Sequence, residues 1–216
     1  MMIIMPGTPK VKALNLTRNN GELVDEVARL YVKDRDTCRV LDPTYGRGGM
    51  WSVWMPANLT INTSDFTQPL DYGPEFDLVL LDGPYTAKGG AATSVEIEDH
   101  DDRYGREQRW DEVKTALTVA EVFRLQTLGM KNCADVVKPG GMLWVKSADY
   151  VTSGKMAWGN HDVRVQGRKL GLTQVDELYL PSNSPQPKVN LDGSPRRQVH
   201  AARGFSMLSV WKAPKK

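Results

Sequence analysis

The run Leu78-Val79-Leu80-Leu81 is apolar at every position and stops abruptly at Asp82-Gly83-Pro84-Tyr85. A strand that hides only one face alternates apolar and polar residues. A short run without alternation, bounded by turn residues, suits a central strand covered on both sides, the arrangement of parallel sheets with helices on both faces. Upstream, Arg39-Val40-Leu41-Asp42 reads as a second short strand. It is followed by the turn Pro43-Thr44-Tyr45-Gly46-Arg47-Gly48-Gly49, with a helix expected from Met50. Strand, glycine turn and helix in that order form the repeating unit of an α/β fold.

The flanking segments extend the pattern. Leu23, Val24, Val27, Leu30 and Tyr31 share one helical face over residues 21–34, with Asn19 or Asn20 as the cap. A weaker strand is expected around Leu59–Asn62. Val113, Leu117, Ala120 and Phe123 recur at helical spacing, and that helix should run to about Val137 before Pro139-Gly140-Gly141. Met142–Val145, Leu178–Leu180 and Met207–Trp211 read as further strands, with a helix before Gly171. Strands alternating with helices predict a single α/β domain over 1–216, with a mostly parallel sheet. Residues 86–110, with acidic residues followed by Arg103, Arg106 and Arg109, read as a long loop, as does the proline-rich segment 181–204.

Composition removes several classes. With 216 residues, 40% hydrophobic and 25% charged, the chain has the balance of an ordinary globular protein. Its apolar runs are too short for a membrane span, and Pro6-Gly7 interrupts the N-terminal Met1–Met5, so a cytoplasmic location and no membrane partner are expected. Cys38 and Cys133 form no Cys-x-x-Cys pair, and His100, His161 and His200 are dispersed. Neither a disulfide framework, a metal site nor a Ser-His-Asp arrangement follows from such spacing. Net charge is only +2, yet beyond residue 181 Lys188, Arg196, Arg197, Arg203, Lys212, Lys215 and Lys216 face Asp192 alone. That bias suits a polyanion, and equally a solvated basic terminus.

The glycine turn lacks both the Gly-x-Gly-x-x-Gly spacing of dinucleotide sites and the Lys-Ser/Thr of phosphate loops. Either segment alone could be a plain turn after a strand. Together, Asp42-Pro43-Thr44-Tyr45-Gly46-Arg47-Gly48 and Asp82-Gly83-Pro84-Tyr85 resemble the signature pair of the S-adenosylmethionine-dependent amino-methyltransferases: Asp-x-x-x-Gly-x-Gly, then Asp-Pro-Pro-Tyr. Val137–Gly141, Val145-Lys146-Ser147, Asp149-Tyr150-Val151 and Arg196–Ala201 are similar to a phage and actinobacterial branch of DNA adenine methyltransferases. The resemblance spans roughly residues 38–212.

It implies a Rossmann-like methyltransferase fold with a seven-stranded, mostly parallel sheet, S-adenosyl-L-methionine as cofactor, and methylation of adenine N6 in DNA. Aspartate heading the second motif is similar to the adenine-N6 members, and the absence of a Pro-Cys pair argues against cytosine C5 chemistry. By the same resemblance Asp42, Pro43, Thr44 and the Tyr45–Gly48 backbone, including Gly46 and Gly48, hold the methionine and ribose parts of the cofactor. Asn62 replaces the usual ribose-binding acid, and Asp65 and Phe66 meet the adenine, though both also read as a turn acid and a core aromatic.

Asp82 and the Gly83 carbonyl would accept hydrogen bonds from the target amine, Pro84 would stiffen the turn, and Tyr85 would stack on an extruded base. Gly83 replaces the family's first proline, giving up a fixed φ. Arg103, Arg106, Arg196, Arg197, His200 and Arg203 are the candidates for phosphate contacts. Lys146 ends a buried-looking strand, where a lysine is most often a surface charge, and receives no catalytic role. RNA or a protein glutamine as substrate, and a catalytically degenerate nucleic-acid-binding protein, are the competing readings.

Overall fold

A computed structural model describes residues 19–62, 64–83, 118–152, 155–181 and 205–215. Helix α1 (Asn20–Tyr31) starts where the Asn19 side chain accepts a hydrogen bond from the Glu22 N–H. Strand β1 (Arg39–Asp42) leads through the glycine turn to β2 (Asn58–Ile61), and β3 (Phe76–Asp82) follows. Helix α2 (Val119–Val136) opens with a capping box, Thr118 and Glu121 each bonding the other's backbone N–H. It passes directly into β4 (Val137–Ser147). The hairpin β5 (Tyr150–Thr152) and β6 (Lys155–Ala157), helix α3 (Gly159–Lys169), β7 (Thr173–Pro181) and β8 (Phe205–Lys212) complete the described elements.

The main sheet has the order β2-β1-β3-β4-β8-β7. The pairs among β2, β1, β3 and β4 are parallel, and β8 runs antiparallel to both β4 and β7. Alternate residues of each strand feed two cores. On one face Leu23, Val24 and Val27 of α1 meet Val40, Leu78, Leu80, Trp144 and Val210. On the other, Met130, Cys133 and Val136 of α2 and Val163 of α3 meet Leu41, Val79, Leu81, Leu143 and Val145. The central strands are therefore covered on both faces, as their unbroken apolar runs require.

Two expectations are corrected. Among the described residues the sheet has six strands rather than seven. Residues 62–75, which separate β2 from β3, are taken up by side-chain-to-backbone turns at Asn62 and Asp65 and interrupted by Pro69 and Pro74, leaving no length for another strand and helix. β2 is thus the last described strand on its side, with Ile61 44% exposed. The helix expected from Met50 is a single 3-10 turn, Gly49–Trp51. Pro56 lies just beyond it and biases Met55 away from helical backbone, so the chain enters β2 instead. No helix among the described residues is long and apolar enough to cross a membrane.

Candidate active site

The order β2-β1-β3 makes the chain leave β1 to one side and return on the other, and such a switch point opens a crevice at the carboxyl ends of the strands. Asp42 ends β1 and Asp82 ends β3, so both acidic motifs stand at this crevice. Thr44 joins them. Its N–H (2.8 Å) and hydroxyl (3.2 Å) donate to Asp42 Oδ1, while its hydroxyl oxygen accepts the Asp82 N–H at 2.8 Å.

Asp42 is 1% exposed. Its second oxygen accepts the indole N–H of Trp51 at 2.6 Å, and its backbone carbonyl accepts the Asn62 N–H at 3.2 Å. Burial pushes its carboxyl up to about 6. The donors Trp51 and Thr44 pull the other way, and the nearby Asp82 charge adds to the rise. This carboxylate holds the loop from beneath, and Trp51, its strongest anchor, is absent from the sequence candidates. The one available signal is an aromatic N–H donor shortly after an acidic strand end.

The glycine turn departs from ordinary backbone at Gly46 (φ 52°) and Gly48 (φ 74°). A Cβ on Gly48 would stand 2.6 Å from the Tyr45 hydroxyl. Gly48→Ala is therefore expected to cost on the order of 1–2 kcal/mol from the left-handed backbone alone. Urea denaturation checks this, and an unchanged midpoint would sink the claim that the turn depends on glycine here. Gly83 differs: its φ lies outside the left-handed region, and among the described residues a Cβ would come no closer than 4.0 Å, to Gln126 Cγ. Packing among the described residues does not demand glycine at 83.

Asn62 opens the turn that follows β2, its side-chain amide bonded to the Ser64 backbone. Asp65 Oδ1 accepts from the Thr67 N–H (2.9 Å) and hydroxyl (2.8 Å), and Phe66 packs on α2, where a Cβ at Gly129 would touch its ring at 2.5 Å. Asp65 and Phe66 are thus engaged as turn acid and packed aromatic. Pro84, Tyr85, Arg103, Arg106, Arg196, Arg197, His200 and Arg203 lie outside the described residues.

Lys146 is the larger surprise. Paired in register with Asp82 across β3 and β4, it is only 7% exposed, and its ammonium lies 3.5 Å from Asp82 Oδ1. Gln126 of α2 donates to its backbone carbonyl at 2.6 Å. Among the described residues no group of three or more His, Cys, Asp or Glu side chains is placed to hold a metal ion.

The chain has the Rossmann-like methyltransferase fold. A Bacillus halodurans protein assigned as a methyltransferase superposes with a TM-score of 0.51 at 11% identity, over 89% of this chain and 99% of that one. An S-adenosylmethionine-dependent O-methyltransferase of Thermotoga maritima gives 0.44 at 11% identity, covering 90% of this chain and 66% of its own. A Thermus thermophilus protein assigned as a DNA modification methylase gives 0.37 at 13%, covering 83% and 54%. The likeness of fold is carried by the Bacillus halodurans protein alone. No protein-family model and no curated protein matches the chain.

Proposed function

We propose that this protein is an S-adenosylmethionine-dependent methyltransferase acting on the exocyclic N6 amine of adenine in DNA. The observation that carries the reading is the Thr44 bridge, which ties the glycine turn above Asp42 to Asp82 at one switch point. The turn proposed to bind the cofactor and the strand end proposed for the chemistry, about forty positions apart in the chain, thus meet through one threonine hydroxyl.

The cofactor fits the residues present. A left-handed glycine turn brings bare backbone to the crevice, and the carboxylates of Asp42 and Asp82, of which the Lys146 ammonium balances only one, favour a sulfonium cation. When bound, the cofactor supplies an activated methyl group. The exocyclic amine is a weak nucleophile because its lone pair is delocalised into the ring. Asp82 and the Gly83 carbonyl would accept its N–H bonds and favour the pyramidal nitrogen of the transition state. Tyr85, by resemblance, would stack on a base withdrawn from the duplex.

The test is transfer of labelled methyl from S-adenosylmethionine to unmethylated DNA, with RNA and protein pools in parallel. Label on DNA adenine supports the reading. Label confined to RNA or protein would move the substrate, and none anywhere would favour a non-catalytic nucleic-acid binder.

Arg196 and Arg197 are assigned to phosphate contacts. Replacing both by alanine is expected to weaken DNA binding and reduce the slope of log affinity against log salt by about 0.9 for each phosphate no longer neutralised. Binding that stays the same across a salt series would remove that role.

A further inference from the structure

The pairing of Lys146 with Asp82 asks for an explanation that the sheet alone does not supply. A lysine at the end of an inner strand normally extends its stem to bring the ammonium into water. Lys146 instead sits 7% exposed beside a carboxylate 8% exposed, and burying two such ions costs more than a surface pair returns. The surroundings of Asp82 show what the ammonium answers. Among the described residues, Asp42 of β1 is joined to it through Thr44, Lys146 of β4 pairs with it, Gln126 of α2 bonds the Lys146 backbone carbonyl, and Leu208 of β8 is the register partner of Lys146. Two carboxylates at neighbouring strand ends repel each other, and the Lys146 ammonium lies where it offsets that repulsion.

We propose that Lys146 is a positioning residue of methyl transfer: its ammonium keeps Asp82 ionised and oriented as the acceptor for the substrate amine. The inference rests on the proposed function. As the lone pair of the substrate nitrogen forms the new N–C bond, the C–S bond breaks with its electron pair passing to sulfur, and the positive charge arrives on nitrogen. Asp82, held ionised, then accepts the proton that the methylated nitrogen must lose and passes it to water. A protonated Asp82 cannot take that proton, and keeps only its carbonyl oxygen as a weaker acceptor for the amine N–H. The Gln126 bond fixes the strand beneath Lys146, so the ammonium is held at Asp82 by backbone as well as by charge.

The experiment titrates the Asp82 carboxylate in cofactor-free protein by carbon NMR, with Asp82→Asn to assign its signal, in wild type, Lys146→Met, Lys146→Gln and Lys146→Arg. Methyl transfer is followed over the same pH range. Lys146→Met and Lys146→Gln are expected to raise the Asp82 midpoint by at least about one pH unit. The acidic limb of kcat should move up by the same interval with KM for the cofactor unchanged, and Lys146→Arg should restore both. Two neutral variants keep the test open should one of them fold poorly. An Asp82 midpoint that is the same in the neutral variants, or a kcat limb that does not follow it, would overturn the proposal. A shifted Asp82 midpoint in a protein that methylates no pool at all would instead overturn the proposed function and leave the electrostatic role of Lys146 supported.

Discussion

Asp82→Ala is expected to lower methyl transfer by about 10²–10³, the effect of removing one preorganised group from a reacting centre, while cofactor binding persists. The separation of the two readouts follows from how Asp82 is held. Its backbone N–H, not its side chain, bonds Thr44, so the bridge to the glycine turn survives loss of the carboxylate. The side chain by contrast lies beside the Lys146 ammonium. Calorimetry of cofactor binding and single-turnover transfer to DNA measure the two separately. Asp82→Asn is the companion variant, because it keeps the volume and one acceptor oxygen but surrenders the charge. It should fall between wild type and Asp82→Ala in rate. A rate near wild type in the alanine variant would sink the assignment of Asp82, whereas loss of cofactor binding along with rate would mean that the carboxylate serves the turn rather than the chemistry.

The parts of this site that were legible in the sequence are those set by local pattern. Leu78–Leu81 and Val40–Leu41 announce strands buried on both faces, and a strand so buried must end in a turn at the crevice. Asp42 and Asp82 could therefore be placed without knowing any contact. Helix α1 was equally legible from its spacing and from Asn19 as cap; for α2 the place of its end was legible, but Val113 and Leu117 lie outside the described residues, Ala120 is exposed, and the buried face runs instead through Val122, Leu125, Gly129 and Met130.

What was not legible depends on register or on the path of a turn. Lys146 becomes a partner of Asp82 only because the parallel pairing of β3 with β4 resumes at Leu78 and Met142 after an irregularity following Phe76 and Val137. A slip of one residue would put it on the opposite face. Trp51 reaches Asp42 only because one 3-10 turn replaces the expected helix, and the missing strand reflects how residues 62–75 spend their length on turns.

Trp51→Phe should cost about 1.5–3 kcal/mol at pH 8, the range for a buried hydrogen bond to a charged group, and the loss should shrink as the solution is acidified. The indole N–H is one of the donors that let Asp42 stay charged in a site 1% exposed. In the wild type the folded-state pKa of Asp42, about 6, stands above the ordinary value of 3.8, so the folded state binds the proton more tightly than the unfolded chain does. Ionisation of Asp42 therefore works against folding above pH 6, and that penalty is relieved as pH falls from 7.5 towards 4. Between pH 7.5 and 5 this group alone should add roughly 1–1.5 kcal/mol to stability.

Glu177, held down at about 2 chiefly by its hydrogen bond from Arg164, has the opposite sign and withdraws stability as pH falls below its ordinary value of 4.5. The Asp42 gain should consequently be read above pH 5. Phenylalanine in place of Trp51 keeps the ring against the α1 core but removes the donor, which pushes the Asp42 carboxyl still higher. The variant should then gain more stability than wild type on acidification, and the two denaturation midpoints should approach each other. Asp42→Asn provides the decisive comparison, since with no titrating group at 42 the pH dependence of the Trp51→Phe effect should vanish. If the difference between wild type and the Trp51→Phe variant stays constant from pH 8 to pH 5, the indole is packing alone, and the charge on Asp42 is held by something other than the donor beneath the turn.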